Sequence, residues 1–301
     1  MMLWLLMSLL STSVEASEGP WTTAPGLHNL YLGVMAERFE CFDAKSEGKG
    51  DCAPGMAVAA PVAKVGAKVF YRTGLSRKLD VAISVPVAHA YTTESVDSPL
   101  YASNTGVGLM QGRLRYQFAS LAGADVAASA GIRTGALHHS SRGSITNLGE
   151  GTTDLVGTVY VGHTALALRR FYTASMDVSY VYRLPEQTNT DIGRIPGDEV
   201  HFAAVSTIAV TPNLGVGASV DGNWRLWGEE LAFSQLGKYG DDRWLALKAS
   251  QVKVGGRVVF YPSGSLPYIQ VAGMRAVWAR NNPIDTTQIE IAIATDLGRR
   301  K

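Results

Sequence analysis

The sequence has no apolar run of the roughly 18 residues that a membrane-spanning helix requires. It also has little net charge, +1 over 301 residues. It therefore lacks the strongly basic character typical of nucleic-acid-binding domains. No phosphate-binding loop, dinucleotide fingerprint or CxxC motif occurs, so we expect no cofactor. These absences exclude a helical membrane protein and give no support for nucleotide or nucleic-acid binding.

Cysteine is almost absent, and the two cysteines, Cys41 and Cys52, lie in one polar stretch. An exported protein passes through an oxidising compartment, where such a pair forms a disulfide that closes the loop. Two free thiols are the main alternative. No histidine or second cysteine pair lies nearby, so we expect no metal site.

The N-terminus has most features of a signal peptide. The apolar core Leu3–Leu10 is followed by small and polar residues, with Val14 and Ala16 at the −3 and −1 positions of a cleavage site near Ala16. No lysine or arginine precedes the apolar core, which departs from the usual pattern. We predict a signal peptide over residues 1–16 and a single domain over 17–301; a buried N-terminal strand or helix is the alternative.

The dominant pattern after the N-terminus is alternation of apolar and polar residues with period two, which is typical of β-strands and incompatible with a helix. The clearest runs are Leu214–Trp227, Val107–Phe118, Gln251–Tyr261 and Pro61–Thr73. Weaker runs lie near 28–40, 79–91, 125–138, 153–165, 173–184, 199–210, 267–280 and 286–297. Together these runs predict twelve strands.

The connectors between these strands alternate between short and long. Leu75–Lys78 and Thr211–Asn213 are short, whereas Phe42–Ala60 and Trp227–Asp242 are long. Short periplasmic turns and longer outer loops characterise outer-membrane barrels. We therefore predict an all-β fold, an antiparallel up-and-down transmembrane β-barrel of about twelve strands in the bacterial outer membrane.

Charged residues fall on one face of each predicted strand. An arginine or lysine facing lipid at the membrane midplane costs about 2–4 kcal/mol, which favours this segregation in a barrel. A soluble sheet would invert the assignment and place the apolar face in a core. We expect the following residues to line the lumen: Lys64, Lys68, Arg72, Arg113, Arg115, Arg133, Arg183, Asp221, Arg225, Lys253, Arg257 and Glu290.

The predicted inner faces carry ten basic residues against six acidic ones. The acidic residues are Glu37, Asp80, Asp177, Asp221, Glu290 and Asp296. A net-basic lumen would favour anions. The alternative, which we favour from the sequence, is an ion-pair network that fills a narrow barrel.

Aromatic residues near the predicted strand ends are consistent with the girdles that mark membrane interfaces. They are Tyr71, Tyr116, Phe118, Tyr180, Tyr182, Trp224, Phe260, Tyr261 and Trp278. Ordinary enrichment of aromatics in strands accounts for them equally well.

The segment Glu18–Gly26, with Trp21, Thr22 and Gly26, leads directly into the first predicted strand. It resembles the opening of the outer-membrane family known for the MetA-pathway of phenol degradation, and of related transporters. The resemblance implies an outer-membrane channel or transporter for small hydrophobic or aromatic molecules, and it implies no catalytic residues. The chain departs from most such barrels because no aromatic residue ends the sequence, which finishes at Lys301.

Two kinds of sequence motif suggest functions other than transport. His139 and Ser140 suggest a hydrolase, but adjacent residues on a strand point to opposite faces and cannot pair simply. Carboxylates at 191–199 and 237–242 suggest calcium, but the regular oxygen spacing of a calcium loop is missing.

We therefore predict a passive channel or transporter and no enzyme. Its partners would be outer-membrane lipid and a small-molecule solute of hydrophobic, aromatic or anionic character. A structural or adhesive barrel that acts through its long loops is the alternative, and an outer-membrane enzyme is the second.

Overall fold

The computed structural model describes most of the predicted barrel. It covers residues 19–41, 57–92, 103–121, 123–135, 153–167, 170–184, 197–226, 250–262, 267–280 and 285–298. The predicted signal peptide, Cys52, and the histidine and serine at 139 and 140 lie outside these residues. Within the described ranges, no helix is long and apolar enough to span a membrane.

Antiparallel β-strands form the fold. The strands are β1 (His28–Cys41), β2 (Ala57–Gly74), β3 (Leu79–Thr92), β4 (Asn104–Val107), β5 (Met110–Leu121), β6 (Ala124–Thr134), β7 (Thr153–Ala167), β8 (Arg170–Arg183), β9 (Glu199–Thr211), β10 (Leu214–Arg225), β11 (Ser250–Phe260), β12 (Tyr268–Arg280) and β13 (Thr287–Leu297). Strands that follow one another pair, except that β4 and β5 both pair with β3, and β1 pairs with both β2 and β13, which closes the sheet. Because β4 and β5 lie end to end along β3 and occupy one position in the sheet, the thirteen described strands form a barrel of twelve strands. The predicted antiparallel barrel is confirmed.

The two ends of the barrel differ in their connectors, as predicted. Short turns join β2 to β3, β5 to β6, β7 to β8, β9 to β10 and β11 to β12, and we call this the short-turn end. The five connectors of eleven or more residues lie at the opposite end, the long-loop end, together with the β12–β13 connector, which is about as short as the β11–β12 turn. The first residue of β1, His28, pairs with the last residue of β13, Leu297. The barrel sheet therefore begins and ends at the short-turn end.

The structure decides which face of each strand points outward. Large apolar side chains on the outside are widely exposed, for example Val258 at 46% and Ile291 at 54%. The charged side chains that alternate with them are buried, for example Arg115 at 1% and Arg257 at 5%. A continuous apolar exterior of this size would be unfavourable in water and is stabilised by lipid. The soluble, inverted assignment is therefore excluded.

One predicted strand is interrupted. The run predicted over 107–118 forms the two segments β4 and β5, because three residues from Gly108 to Met110 lie opposite only Val85 and Pro86. Pro86 has no N–H to donate and still accepts a hydrogen bond from Gly108 N at 2.9 Å. The extra residue is a β-bulge, which the proline inside β3 could have indicated.

Aromatic side chains lie on the outer surface near both ends. Tyr116 and Phe118 are near the short-turn end, and Tyr182 and Trp224 are near the long-loop end. One member of the predicted set was wrong: Tyr261 points inward, is 8% exposed, and packs beside Tyr268 with ring centroids 6.2 Å apart.

Candidate functional site: the barrel lumen

The lumen contains a cavity of about 430 Å³. Seven of the twelve predicted lumen residues line it: Lys64, Lys68, Arg113, Arg133, Asp221, Lys253 and Glu290. The other five are buried within the barrel interior at 1–5% exposure: Arg72, Arg115, Arg183, Arg225 and Arg257. The structure thus brings seven of the predicted residues to one cavity and buries five away from it.

Apolar and aromatic side chains share the cavity wall with these charges. Met35, Phe70, Tyr160 and Val181 are among them. The guanidinium carbon of Arg113 lies 5.7 Å from the centre of the Phe70 ring, within the range of a cation–π contact. The cavity therefore offers charged and aromatic surface side by side.

One side of the interior is occupied by a buried set of ion pairs near the long-loop end, which we call the wall network. Its members come from β6 to β10: Arg133, Asp154, Arg183, Glu199, His201 and Arg225. Glu199 is its centre, with Arg225 Nη2 at 3.0 Å, His201 Nε2 at 2.7 Å and a direct bond to Arg183. Asp154 binds Arg133 at 2.8 Å. The network fixes three of the predicted lumen arginines in place.

Sequence reasoning missed three interior carboxylates. Asp125, Asp154 and Glu199 all lie inside the barrel, where each accepts bonds from interior side chains. Among the described residues, they raise the acidic count of the predicted inner faces from six to nine against ten basic residues, so the expected basic excess of four falls to one. Asp154 shares a strand face with Thr158 and Tyr160, and this alternation could have revealed it. Glu199 begins a strand whose inner face mixes the polar His201 and Thr207 with the apolar Ala203 and Val205, so its pattern is weak.

Several other predicted features fall partly or wholly outside the described residues. The stretch at 237–242 is not described, and of 191–199 only the last three residues are. There, Asp198 accepts a hydrogen bond from Arg183 N at 3.0 Å and one from the Tyr180 hydroxyl, so turn and strand contacts use this carboxylate. Among the described residues, no group of three histidine, cysteine, aspartate or glutamate side chains could hold a metal ion.

The floor of the cavity lies toward the short-turn end. Tyr31, which bonds Glu290, packs there with Tyr261 and Tyr268 in a buried cluster. On the other side, the segment that precedes β1 folds back into the barrel, with Gly19 and Pro20 buried. In the described residues, the cavity is therefore bounded at this end by packed side chains and by the N-terminal segment.

The closed sheet, the apolar exterior and the charged interior define a transmembrane β-barrel of the outer-membrane type. Among solved structures, the chain is similar to an outer membrane channel from Pseudomonas putida F1, with a TM-score of 0.65 and 10% identity over 92% of this chain and 98% of that chain. It is also similar to the NanC porin, with a TM-score of 0.51 and 9% identity over 88% of this chain and 100% of that one. At such identity the likeness shows the fold alone.

No family model matches the sequence, and no curated protein matches it. The likeness to an outer membrane channel agrees in fold with the family that the Trp21 segment resembles. Membership of that family stays a prediction.

Proposed function

We propose that this protein is a passive channel for small molecules across the bacterial outer membrane, to which it is exported with a cleaved signal peptide. The cavity inside the barrel is the observation that carries the proposal. A barrel with a purely structural role can fill its interior with side chains. Here a space of about 430 Å³ remains, which lies within the size range of small-ligand pockets.

The lining favours solutes that combine an apolar or aromatic body with a negative group. Lys64 and Lys68 lie on β2, the strand that carries Phe70, and Arg113 reaches the Phe70 ring from β5, on the other side of β3. Acidic residues such as Asp221 line the cavity as well, so discrimination would be local rather than set by overall charge. An aromatic or hydrophobic carboxylate is the class of solute that this wall suits best.

Conductance of the purified protein in planar bilayers tests the channel. We expect single-channel openings, and we expect the double variant Lys64→Glu with Lys68→Glu to shift permeability from anions toward cations, because it replaces two positive charges on the cavity wall by negative ones. Lys78→Glu is the matched control, since Lys78 is exposed in a short turn outside the cavity. Absence of conductance and solute flux from folded protein, including variants with a shortened N-terminal segment, would contradict the proposal.

The two alternative functions predict different experimental results. An adhesive barrel would bind surfaces through its long loops and conduct nothing. An outer-membrane hydrolase would lose lipase activity in Ser140→Ala, whereas a channel would show none in either form.

We also propose the disulfide between Cys41 and Cys52. We expect purified protein to resist alkylation by a thiol reagent until it is reduced, and to incorporate two labels per chain afterwards. Mass spectrometry would count them. Labelling of both thiols without reduction, in protein prepared under oxidising conditions, would overturn the pairing.

A further inference from the structure

The segment before β1 is built into the barrel interior at the short-turn end. We call residues Gly19–Pro25 the N-terminal plug. Its first residues, Gly19 and Pro20, are buried, and its last, Pro25, forms a bridge with Gly74 at the end of β2. The plug contacts five of the twelve barrel strands, namely β2, β3, β5, β6 and β7.

A buried ion pair holds the plug by its backbone. Arg115 and Asp80 are joined at 2.6 Å and are each 1% exposed. Arg115 donates from Nη1 to the Gly19 carbonyl at 2.8 Å and from Nη2 to the Trp21 carbonyl at 2.7 Å. Asp80 Oδ2 accepts from Thr23 N at 3.0 Å. A buried ion pair is stable only when further hydrogen bonds satisfy its atoms, and the plug backbone supplies three of them.

Side chains of the plug add a second set of bonds on β5 and β6. Trp21 Nε1 donates to Asp125 Oδ2 at 2.8 Å, and Gln117 Nε2 donates to the other oxygen of Asp125 at 3.1 Å. Thr22 Oγ1 donates to Gln117 Oε1 at 3.2 Å. Asp125 and Gln117 thus form a polar seat for Trp21 and Thr22.

The barrel wall leaves room for the plug. Gly162 lies on the inner face of β7, where a Cβ would overlap the Pro20 ring. At Gly74 a Cβ would overlap the Thr23 and Ala24 carbonyl groups. Side chains are therefore missing from the wall at two places where plug atoms occupy the space of a Cβ.

The plug lies next to the floor of the cavity. Tyr160 lines the cavity, and the guanidinium carbon of Arg115 lies 5.6 Å from the centre of its ring. Arg115 in turn binds the plug. Among the described residues, this end also contains the buried cluster around Tyr31, Tyr261 and Tyr268. A solute leaving the cavity toward the short turns would meet the plug on one side and packed tyrosines on the other.

We propose that the N-terminal plug forms the short-turn constriction of the channel and that passage requires it to leave its seat. The inference rests on the proposed channel function. Hydrogen bonds hold the plug at Arg115, Asp80 and Asp125, and water can replace such bonds when the segment moves out. Trp21 and Thr23 then determine how often the channel is open.

A matched pair of substitutions at one position tests this assignment. Thr23→Pro removes the N–H that donates to Asp80, whereas Thr23→Ala keeps that N–H and removes only the side chain. We expect about a tenfold or greater rise in open probability for Thr23→Pro in planar bilayers, because hydrogen bonds to charged groups are among the stronger ones. Thr23→Ala should behave like the wild type. Trp21→Phe, which removes the indole donor to Asp125 together with part of the ring, should also raise the open probability.

Deletion of residues 19–24 gives the upper limit of the effect. We expect a larger unitary conductance for this variant than for the wild type. Heat-modifiable mobility on a gel shows whether each variant forms a folded barrel, and the point variants serve as the test if the deletion does not fold. Equal open probability and conductance in the wild type, Thr23→Pro and Trp21→Phe would overturn the constriction and leave the channel standing. If no folded form conducts, including the deletion variant, the proposed channel function itself would be overturned.

Discussion

Replacing Glu199 by glutamine is expected to lower the free energy of unfolding by about 3–5 kcal/mol, the usual cost of leaving a buried ion without its partner. Glu199 is 5% exposed and is shared by Arg183, Arg225 and His201. Without its charge, Arg183 and Arg225 would both lose a carboxylate partner, and Asp154, which lies 3.9 Å from Arg183, is already bound to Arg133. The amide could retain part of the hydrogen bonding but none of the charge compensation.

Urea unfolding of the protein in lipid vesicles measures this effect, with heat-modifiable gel mobility as the indicator of the folded barrel. Asp221→Asn is the matched control, because it makes the same carboxylate-to-amide change at a half-buried position on the cavity wall. We expect the control to cost about 1 kcal/mol or less, in line with ion pairs that water can reach. Equal costs at both positions would show that the wall network is not a stabilising unit.

The second large effect concerns the lipid-facing surface. Val178 lies near the middle of β8, is 47% exposed and points away from the lumen. Arginine at this position would lie in the hydrocarbon, and we expect Val178→Arg to reduce the stability of the barrel by about 2–4 kcal/mol. The result would measure directly how deeply this face is immersed in lipid.

The next residue on the same strand provides the control. Ser179 lines the cavity, so Ser179→Arg would place the same side chain in a polar space near Asp177. We expect a markedly smaller loss for Ser179→Arg in the same vesicle unfolding experiment. A larger loss for Ser179→Arg than for Val178→Arg would contradict the inside and outside faces described above.

Most of the strand pattern could be predicted from the sequence. Alternation along β10 and β11 is clear, since Val216, Val258 and their neighbours alternate with Gly217, Arg257 and other polar or small residues. Where the inner face carries apolar residues, as at Val205 in β9, the alternation is weaker and did not predict that Glu199 lies inside the barrel. The aromatic Tyr261 was assigned to the outer girdle, although alternation continues the inner face of Arg257 and Val259 to this residue, which packs beside Tyr268.

The role of the N-terminal segment could not be predicted from the sequence. Trp21, Thr22 and Gly26 carried the family resemblance but no physical role. In the structure, Trp21 and Thr22 bind the barrel interior, and Gly26, at φ +75°, adopts a backbone conformation that suits glycine and allows the turn into β1. The partners of Trp21 and Thr22 lie 55 to 104 residues further along the chain, so no local pattern could have identified them.

The amino-acid sequence by itself determined that the chain forms alternating strands, about twelve of them, with short and long connectors at opposite ends. These features are local, because side chains on a strand alternate with period two and turns follow from a few residues. Only the tertiary structure decided that the charged face points inward, that Glu199 gathers the arginines of the wall network, and that residues 19–25 occupy the short-turn end. Those features depend on closing the sheet, which brings β1 against β13 and places side chains from distant strands around one enclosed space.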